Sequence, residues 1–366
     1  MHPANLIDDI RTPAQTSTWK TTDLPTLAAL PVAARLEAFG PLPDALLALL
    51  REGAVRLLDS DMIIRQRRLG DVALPEIEEG ASTELRHDES ALAEAVLEQI
   101  AQQGLADHFK PFMRSFIRIM FALFFTPDQY ERACACLDDG YHFSFLMSDA
   151  GGPTLAGWQS VARNDQGRIR LTVDKVWGIE AHREGMAVIA ARLPGVFFPA
   201  AYLVWPEQYR SLRRVSYGEP FLDGRLQLGN VNGEVEVGAG DRLKIGGPTV
   251  FNKYLTIVRP FFVRALMAHL EWLASEGRLT LDERAGDAMR FIADAARQQT
   301  RSQVYSFGSV QRVLALKFAS NELLSGLVRS GAVREFGDER DLLAFSKMEG
   351  SSYRCYHELR TSFKGV

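Results

Sequence analysis

The chain has 366 residues, 46% of them hydrophobic and 24% charged, with a formal net charge of −4; that is enough for two or three structural domains and a large core. No strongly basic stretch stands out, which argues against a nucleic-acid partner. The N-terminal MHPANLIDDIRTPAQ lacks the apolar run of a secretion signal, and IRIMFALFF (Ile117 to Phe125), the longest apolar run, is too short to span a bilayer, so a cytoplasmic protein without membrane insertion is expected.

In chain order, residues 24–138 read as helix. LPDALLALLREGAVRLL, ALAEAVLEQIAQQGLADHF and PFMRSFIRIMFALFF carry apolar residues three and four apart. The third is apolar nearly all round, the pattern of a helix buried at the centre. TPDQYERACACLDDG follows. Its Cys134 and Cys136 are separated by one residue and no histidine stands at ligand spacing, so with Cys355 they read as small apolar residues in a reducing compartment. No metal site is expected.

Between Phe143 and Val237 the period shortens to two. FSFLMSD, WQSVARN, RIRLTVDKVW, MAVIAARL, AAYLVW, RRVSY and RLQLGNVNGEVEV are short alternating runs divided by Gly, Asn, Asp and Pro. NDQG (Asn164 to Gly167) reads as a hairpin turn. GAGDRLKIGGP (Gly238 to Pro248) reads as a linker. Helices then return in FNKYLTIVRPFFVRALMAHLEWLAS, DERAGDAMRFIADAARQQ and SVQRVLALKFASNELLSGLV. Thr280-Leu281-Asp282-Glu283 has capping-box spacing, with Thr280 as the N-cap. The expected organisation is α+β: an N-terminal helical domain over 1–138, a middle β domain over 139–240 and a C-terminal helical bundle over 241–366.

Near the end of the chain, SKMEGSSYRC (Ser346 to Cys355) sets one acid, Glu349, before a glycine and two small hydroxyls. Two readings stand. Glu349 is an exposed loop acid, the fate of most glutamates, or it is a base held against a substrate, with Leu343, Phe345 and Met348 making its surroundings apolar and Gly350 letting backbone approach a bulky ligand.

Four stretches in a fixed order carry a resemblance to the acyl-CoA dehydrogenase family. TPDQYERACACLDDG (Thr126 to Gly140) resembles its T-x-E-Q…SG segment, and MSDAGGPT (Met147 to Thr154) its L-T-E-P-x-x-G-S-D loop. DKVWGIEA (Asp174 to Ala181) is similar to its K-x-W-I-T-N-A strand. RD…EGSS resembles its R-D…Y-E-G-T-S, with Glu349 eight residues after Asp341; KFAS (Lys317 to Ser320) resembles the penultimate bundle helix.

The resemblance implies a flavoenzyme with FAD as cofactor. It would introduce an α,β double bond into an acyl thioester on CoA or an acyl carrier protein, with an electron-accepting partner and a homodimer or homotetramer packed through the C-terminal bundle. It assigns Glu349 as the base that removes the α proton. Such a carboxylate, shielded from water, has a raised pKa nearer the acidity it must match. In some members the base lies instead on the first bundle helix, just before an arginine; here that arginine is Arg259 in TIVRPFF, preceded by Val258. Arg259 is then expected near the thioester arm, or else as a helix-start arginine paired with a carboxylate. Trp177 is the residue whose indole covers one side of the flavin, the alternative being a core tryptophan. Ser148 stands at the pyrimidine end of the flavin, with Met147 before it also assigned to the cofactor, Ile179 beside flavin N5, and Ser351 where the family contacts the dinucleotide; both serines also fit ordinary turns.

The departures bear on the cofactor. Ile179 replaces a Ser or Thr whose hydroxyl approaches flavin N5, and Gly152-Pro153-Thr154 replaces the G-S-D. The arginine that reaches a neighbouring subunit's FAD has only Arg284 as a register match, and the G-G-x-G loop is reduced to Glu335–Asp338. Besides a working flavoenzyme, three readings follow: one subunit of a heteromeric dehydrogenase, a flavin-free isomerase or lyase that uses Glu349 for proton abstraction, and a non-catalytic scaffold.

Overall fold

A computed structural model describes residues 79–350 apart from 153–154, 166–167, 197–198, 244–247 and 303–306, together with residues 352 and 355. The first expected helix, LPDALLALLREGAVRLL, lies outside the described residues. The described chain divides into two compact units: one holds Ala93–Phe109 and Leu255 onward, the other residues 79–92 and Lys110–Tyr254.

Helix α1 (Glu79–Gln103) leads into α2 (Phe109–Phe124) and α3 (Pro127–Asp138). The all-round apolar pattern holds for the C-terminal half of α2, where Ile119 to Phe124 are all buried, whereas Lys110, Pro111 and Arg114 in its first half are exposed. Phe121 meets Phe143 edge-on, with ring centroids 5.0 Å apart. Helix α3 starts at Pro127 because Thr126 caps it: its hydroxyl accepts the Gln129 N–H at 3.3 Å, and the Gln129 side chain accepts the Thr126 N–H at 2.9 Å. Cys134 and Cys136 lie on this helix and are not joined in a disulfide.

The alternating runs all form strands: β1 (His142–Leu146), β2 (Val161–Asp165), β3 (Arg168–Ile179), β4 (Gly185–Arg192), β5 (Pro199–Val204), β6 (Arg213–Phe221) and β7 (Leu226–Val237). They make one sheet in the order β1-β4-β2-β3-β7-β6, with β5 joined to β4. β2 and β3 pair antiparallel with Asp165 opposite Arg168, the hairpin expected at NDQG. β1 pairs with β4 in parallel and β5 with β4 antiparallel. Burial of β4 on both faces suits its small side chains, Ala187, Ala190 and Ala191. The inward residues of β3, Leu171 and Val173, pack with Ile189, Tyr202, Val231 and Val235.

The second unit is helical. Helix α4 (Pro248–Ser275) is followed by α5 (Glu283–Ser302), α6 (Phe307–Arg329) and α7 (Phe336–Phe345), with α5 against α6 and α6 against α7. The N-cap of α5 is Asp282 rather than Thr280: the Asp282 carboxylate accepts the Ala285 N–H at 2.7 Å. Thr280 is occupied elsewhere, its N–H donating to the Ala332 carbonyl at 2.9 Å beside the Leu279–Val333 bridge. Helix α7 replaces the loop read at Glu335–Asp338. Asp338, in its first turn, accepts from Arg278 Nε at 2.9 Å and Nη2 at 2.7 Å, which fixes the helix start from sixty residues away. Among the described residues no helix is long and apolar enough to cross a membrane, and no group of His, Cys, Asp or Glu is arranged to hold a metal ion.

Candidate active site

In the sheet unit, the loop after β1 and the end of β3 bring three of the expected residues together. The Val176 N–H donates to the Ser148 carbonyl at 3.1 Å, so Ser148 lies beside the strand that carries Trp177. The β3–β7 register slips between Lys175 and Gly178. At this bulge Trp177 takes a left-handed backbone, φ 60°. Its N–H donates to Asn230 Oδ1 on β7 at 3.2 Å, and its indole is 48% exposed. It is therefore no core tryptophan; Trp158 and Trp205 fill that role. Ser148 is exposed, while Met147 and Ile179 are half-buried. Ser351 lies outside the described residues.

Beneath this surface is a buried ion pair that the sequence did not single out. Lys175 Nζ donates to Asp149 Oδ2 at 3.1 Å and to the Met147 carbonyl at 3.2 Å, and both charged side chains are fully buried. Asp149 also accepts the N–H groups of Gly151, Gln159 and Ser160 at 2.9, 2.7 and 3.0 Å. Burial works against the Asp149 carboxylate, but the hydrogen bonds around it outweigh burial and hold it below the usual carboxylate range. Burial pushes Lys175 down to about 8, with Asp149 opposing. The pair anchors the backbone of Met147 under the bulge. Its sequence signal was the lysine two residues before Trp177, with an acid next to Ser148.

In the helical unit, α7 ends at Ser346 and the chain turns through Lys347 and Met348, whose N–H groups both donate to the Ala344 carbonyl. Two successive positive φ values follow, 58° at Glu349 and 120° at Gly350. Glycine reaches such values at no steric cost; glutamate does not. Glu349 is half-buried, so it is not the exposed acid of the alternative reading.

The turn is held by its backbone carbonyls. Arg259, 3% exposed within α4, donates Nε–H to the Glu349 carbonyl at 2.7 Å. It sits inside the helix rather than at its start. Asn321 Nδ2 on α6 donates to the Gly350 carbonyl at 2.9 Å, and Lys317 Nζ to the Phe345 carbonyl at 3.1 Å. A Cβ built on Gly350 would lie 3.0 Å from Arg259 Nη2 and 3.2 Å from Cys355 Sγ, and at φ 120° any side chain is strained, so the position favours glycine. A second carboxylate, Glu322, is buried further along α6; burial pushes it up, and a hydrogen bond with the Ser352 hydroxyl opposes the shift.

No family model matches the chain, and no curated protein matches it in sequence. Solved structures do match it in fold. The flavoprotein nitroalkane oxidase aligns with 98% of this chain and 94% of its own at TM-score 0.62 and 12% identity. FkbI, a protein for biosynthesis of the methoxymalonyl extender unit of a polyketide immunosuppressant, aligns over 100% of both chains at TM-score 0.57 and 15% identity. Glutaryl-CoA dehydrogenase from Mycobacterium smegmatis, solved with FADH2, aligns with 85% of this chain and 96% of its own at TM-score 0.52 and 14% identity. The fold is that of the acyl-CoA dehydrogenases: α+β, with helices before and after a sheet.

Proposed function

We propose that the chain is a flavin-dependent oxidoreductase that introduces an α,β double bond into an acyl thioester carried on CoA or an acyl carrier protein. The observation that carries this reading is the turn at Glu349. A glutamate at φ 58° costs about 1 kcal/mol or more relative to the right-handed region, and buried side chains fix the peptides on either side of the turn. Such a turn fixes the backbone from which one carboxylate projects, as a positioned base requires.

The α C–H of a thioester is a very weak acid, so the carboxylate must be waiting at the proton while the carbonyl is polarised. Glu349 takes that proton in this reading. Arg259, which grips the Glu349 carbonyl, is placed beside the thioester arm. FAD, when bound, supplies the acceptor for the β-hydride. The residues present suit an isoalloxazine ring: Trp177 offers an indole that the fold keeps out of its own core, with Met147 and Ser148 beside it. Trp177 would cover one side of the ring and exclude water, and Ser148 would donate or accept at its pyrimidine end. Ser351 is assigned to the dinucleotide. A dimer or tetramer, and an electron-accepting partner, belong to the same reading.

Ile179 favours a second reading. With an alkyl side chain where flavin N5 would want a hydroxyl, the chain would keep Glu349 for proton transfer and dispense with oxidation. The deciding experiment measures flavin absorption of the purified protein before and after adding FAD, then flavin bleaching with a panel of acyl-CoA and acyl-pantetheine thioesters. Glu349→Gln should abolish bleaching and leave flavin occupancy unchanged. Undiminished turnover in that variant overturns Glu349 as the base, and thioester isomerisation without any flavin uptake selects the second reading.

A further inference from the structure

Lys317 is fully buried, an uncommon position for lysine, since nothing in the core repays the hydration of an ammonium unless it is paired and hydrogen-bonded. Its Nζ donates to Asn321 Oδ1 one turn along α6 and to the Phe345 carbonyl, the last of α7, and it lies 5.2 Å from the Phe262 ring centroid. Asn321 can be oriented in only one way. An ammonium cannot accept a hydrogen bond and a carbonyl cannot donate one, so Oδ1 faces Lys317 and Nδ2 faces Gly350. Lys317, Asn321 and the Gly350 carbonyl therefore form one chain of hydrogen bonds. It runs from the centre of α6 to the peptide that follows Glu349.

Capping alone does not explain the charge, because the Phe345 and Gly350 carbonyls need donors and not a cation. The charges that act on Lys317 come, largest first, from Cys355, Arg259, Glu349 and Lys347. Arg259 and Lys347 repel it, whereas the buried Cys355 and, less strongly, Glu349 attract it. Glu349 is the carboxylate of the set. Burial pushes Lys317 down to about 7, so the ammonium and the neutral amine are both within reach near neutral pH. Either form still donates to Asn321 and Phe345.

We propose that Lys317 is a positioning residue for Glu349: through Asn321 and the Phe345 carbonyl it sets the turn, and its ammonium is the counter-charge that keeps the Glu349 carboxylate ionised in apolar surroundings. This rests on Glu349 as the working carboxylate, but its test does not depend on turnover.

The test is a titration of the whole protein labelled with 13C at the glutamate side-chain carboxyl carbon, the Glu349 resonance being the one missing in Glu349→Gln. In the wild type that resonance should show two steps, one from its own carboxyl and one at higher pH as Lys317 loses its proton. Lys317→Met should remove the second step and raise the first by about one pH unit, a tenfold change in acidity. If Lys317→Met does not fold, the wild-type profile decides by itself: a second step coinciding with titration of the 15N-labelled Lys317 amine supports the proposal. A single wild-type step, or a Glu349 midpoint unmoved in a folded Lys317→Met, overturns it. Loss of the proposed oxidation in Glu349→Gln bears on the reaction, and movement of the Glu349 titration bears on Lys317, so the two can fail separately.

Discussion

Arg259 donates its Nε–H to the Glu349 carbonyl at 2.7 Å, joining the middle of α4 to a turn ninety residues further on. The bond is made by a side chain 3% exposed, so its loss is not made good by water. Arg259→Met should leave the Glu349 carbonyl without its donor and cost about 1–3 kcal/mol, read as a drop in the urea midpoint. Arg259→Lys should recover only part of this, since an ammonium cannot reproduce the planar fork. A midpoint unchanged in Arg259→Met would show the turn to be held without it.

Gly350→Ala tests the same turn from the other side. At φ 120° alanine is strained by itself, and its Cβ would press on Arg259 Nη2 and Cys355 Sγ. A loss of about 1–3 kcal/mol is expected, together with loss of Glu349-dependent turnover and unchanged flavin occupancy. Wild-type turnover in Gly350→Ala would mean that the direction of Glu349 does not depend on this backbone.

The contrast between strands and helix ends shows what was legible beforehand. The strands declared themselves as short runs with bounding turns, alternating in β3 and β7 and continuously apolar in β4 and β5, and the C-terminal half of α2 declared itself as a continuous apolar run. Helix α7 did not, because FGDERDLLAF is short and four of its ten residues are charged, and what starts it is Arg278 reaching Asp338 from sixty residues away. Asp282 displaced Thr280 as a cap for a similar reason: a tertiary bridge had already claimed Thr280. Glu349 and Trp177 were legible because each stands in a short motif, and positive φ at both was not. Lys317 and Asn321 read as helix interior, since one sequence does not say which face of α6 turns toward Glu349.

Trp177→Ala separates binding from folding. Trp177 is 48% exposed, so about half of its surface leaves the fold with it, and stability should fall by no more than about 1–3 kcal/mol. Flavin affinity should fall at least tenfold, which corresponds to about 1.4 kcal/mol of stacking, measured by fluorescence titration with FAD. Affinity unchanged together with a large loss of stability would return Trp177 to a structural role.

The Asp149–Lys175 pair should respond asymmetrically. Asp149→Leu strands a buried ammonium and three backbone N–H groups, whereas Lys175→Met leaves a carboxylate still held by those three amides. Breaking a buried pair costs about 3–5 kcal/mol, and Asp149→Leu is expected at the upper end or beyond, Lys175→Met at or below the lower end. Equal losses in urea unfolding would show that the ion pair, rather than the amide cradle, dominates the site.

His269 supplies a pH signature for the helical unit. Its Nδ1 accepts the Leu105 N–H at 3.3 Å, and its ring stacks on Trp272 with centroids 5.5 Å apart. Burial, aided by repulsion from Arg278, pushes it down to about 3, while His142 in the sheet unit is pushed by burial to about 4. Both must stay neutral in the folded chain, whereas in the unfolded chain each takes up a proton near pH 6.5. The unfolded state therefore binds more protons below that pH, and stability falls as the pH is lowered through it, by up to about 1.4 kcal/mol per pH unit for each histidine. Between pH 7 and pH 5 urea unfolding should lose about 2 kcal/mol of stability through His269, the slope steepening toward its full value as the pH falls below 6.5. His269→Phe should be less stable at pH 7, because Leu105 loses its acceptor, yet lose less as the pH falls. Parallel slopes for the wild type and His269→Phe would mean that His269 is not the group resisting its proton.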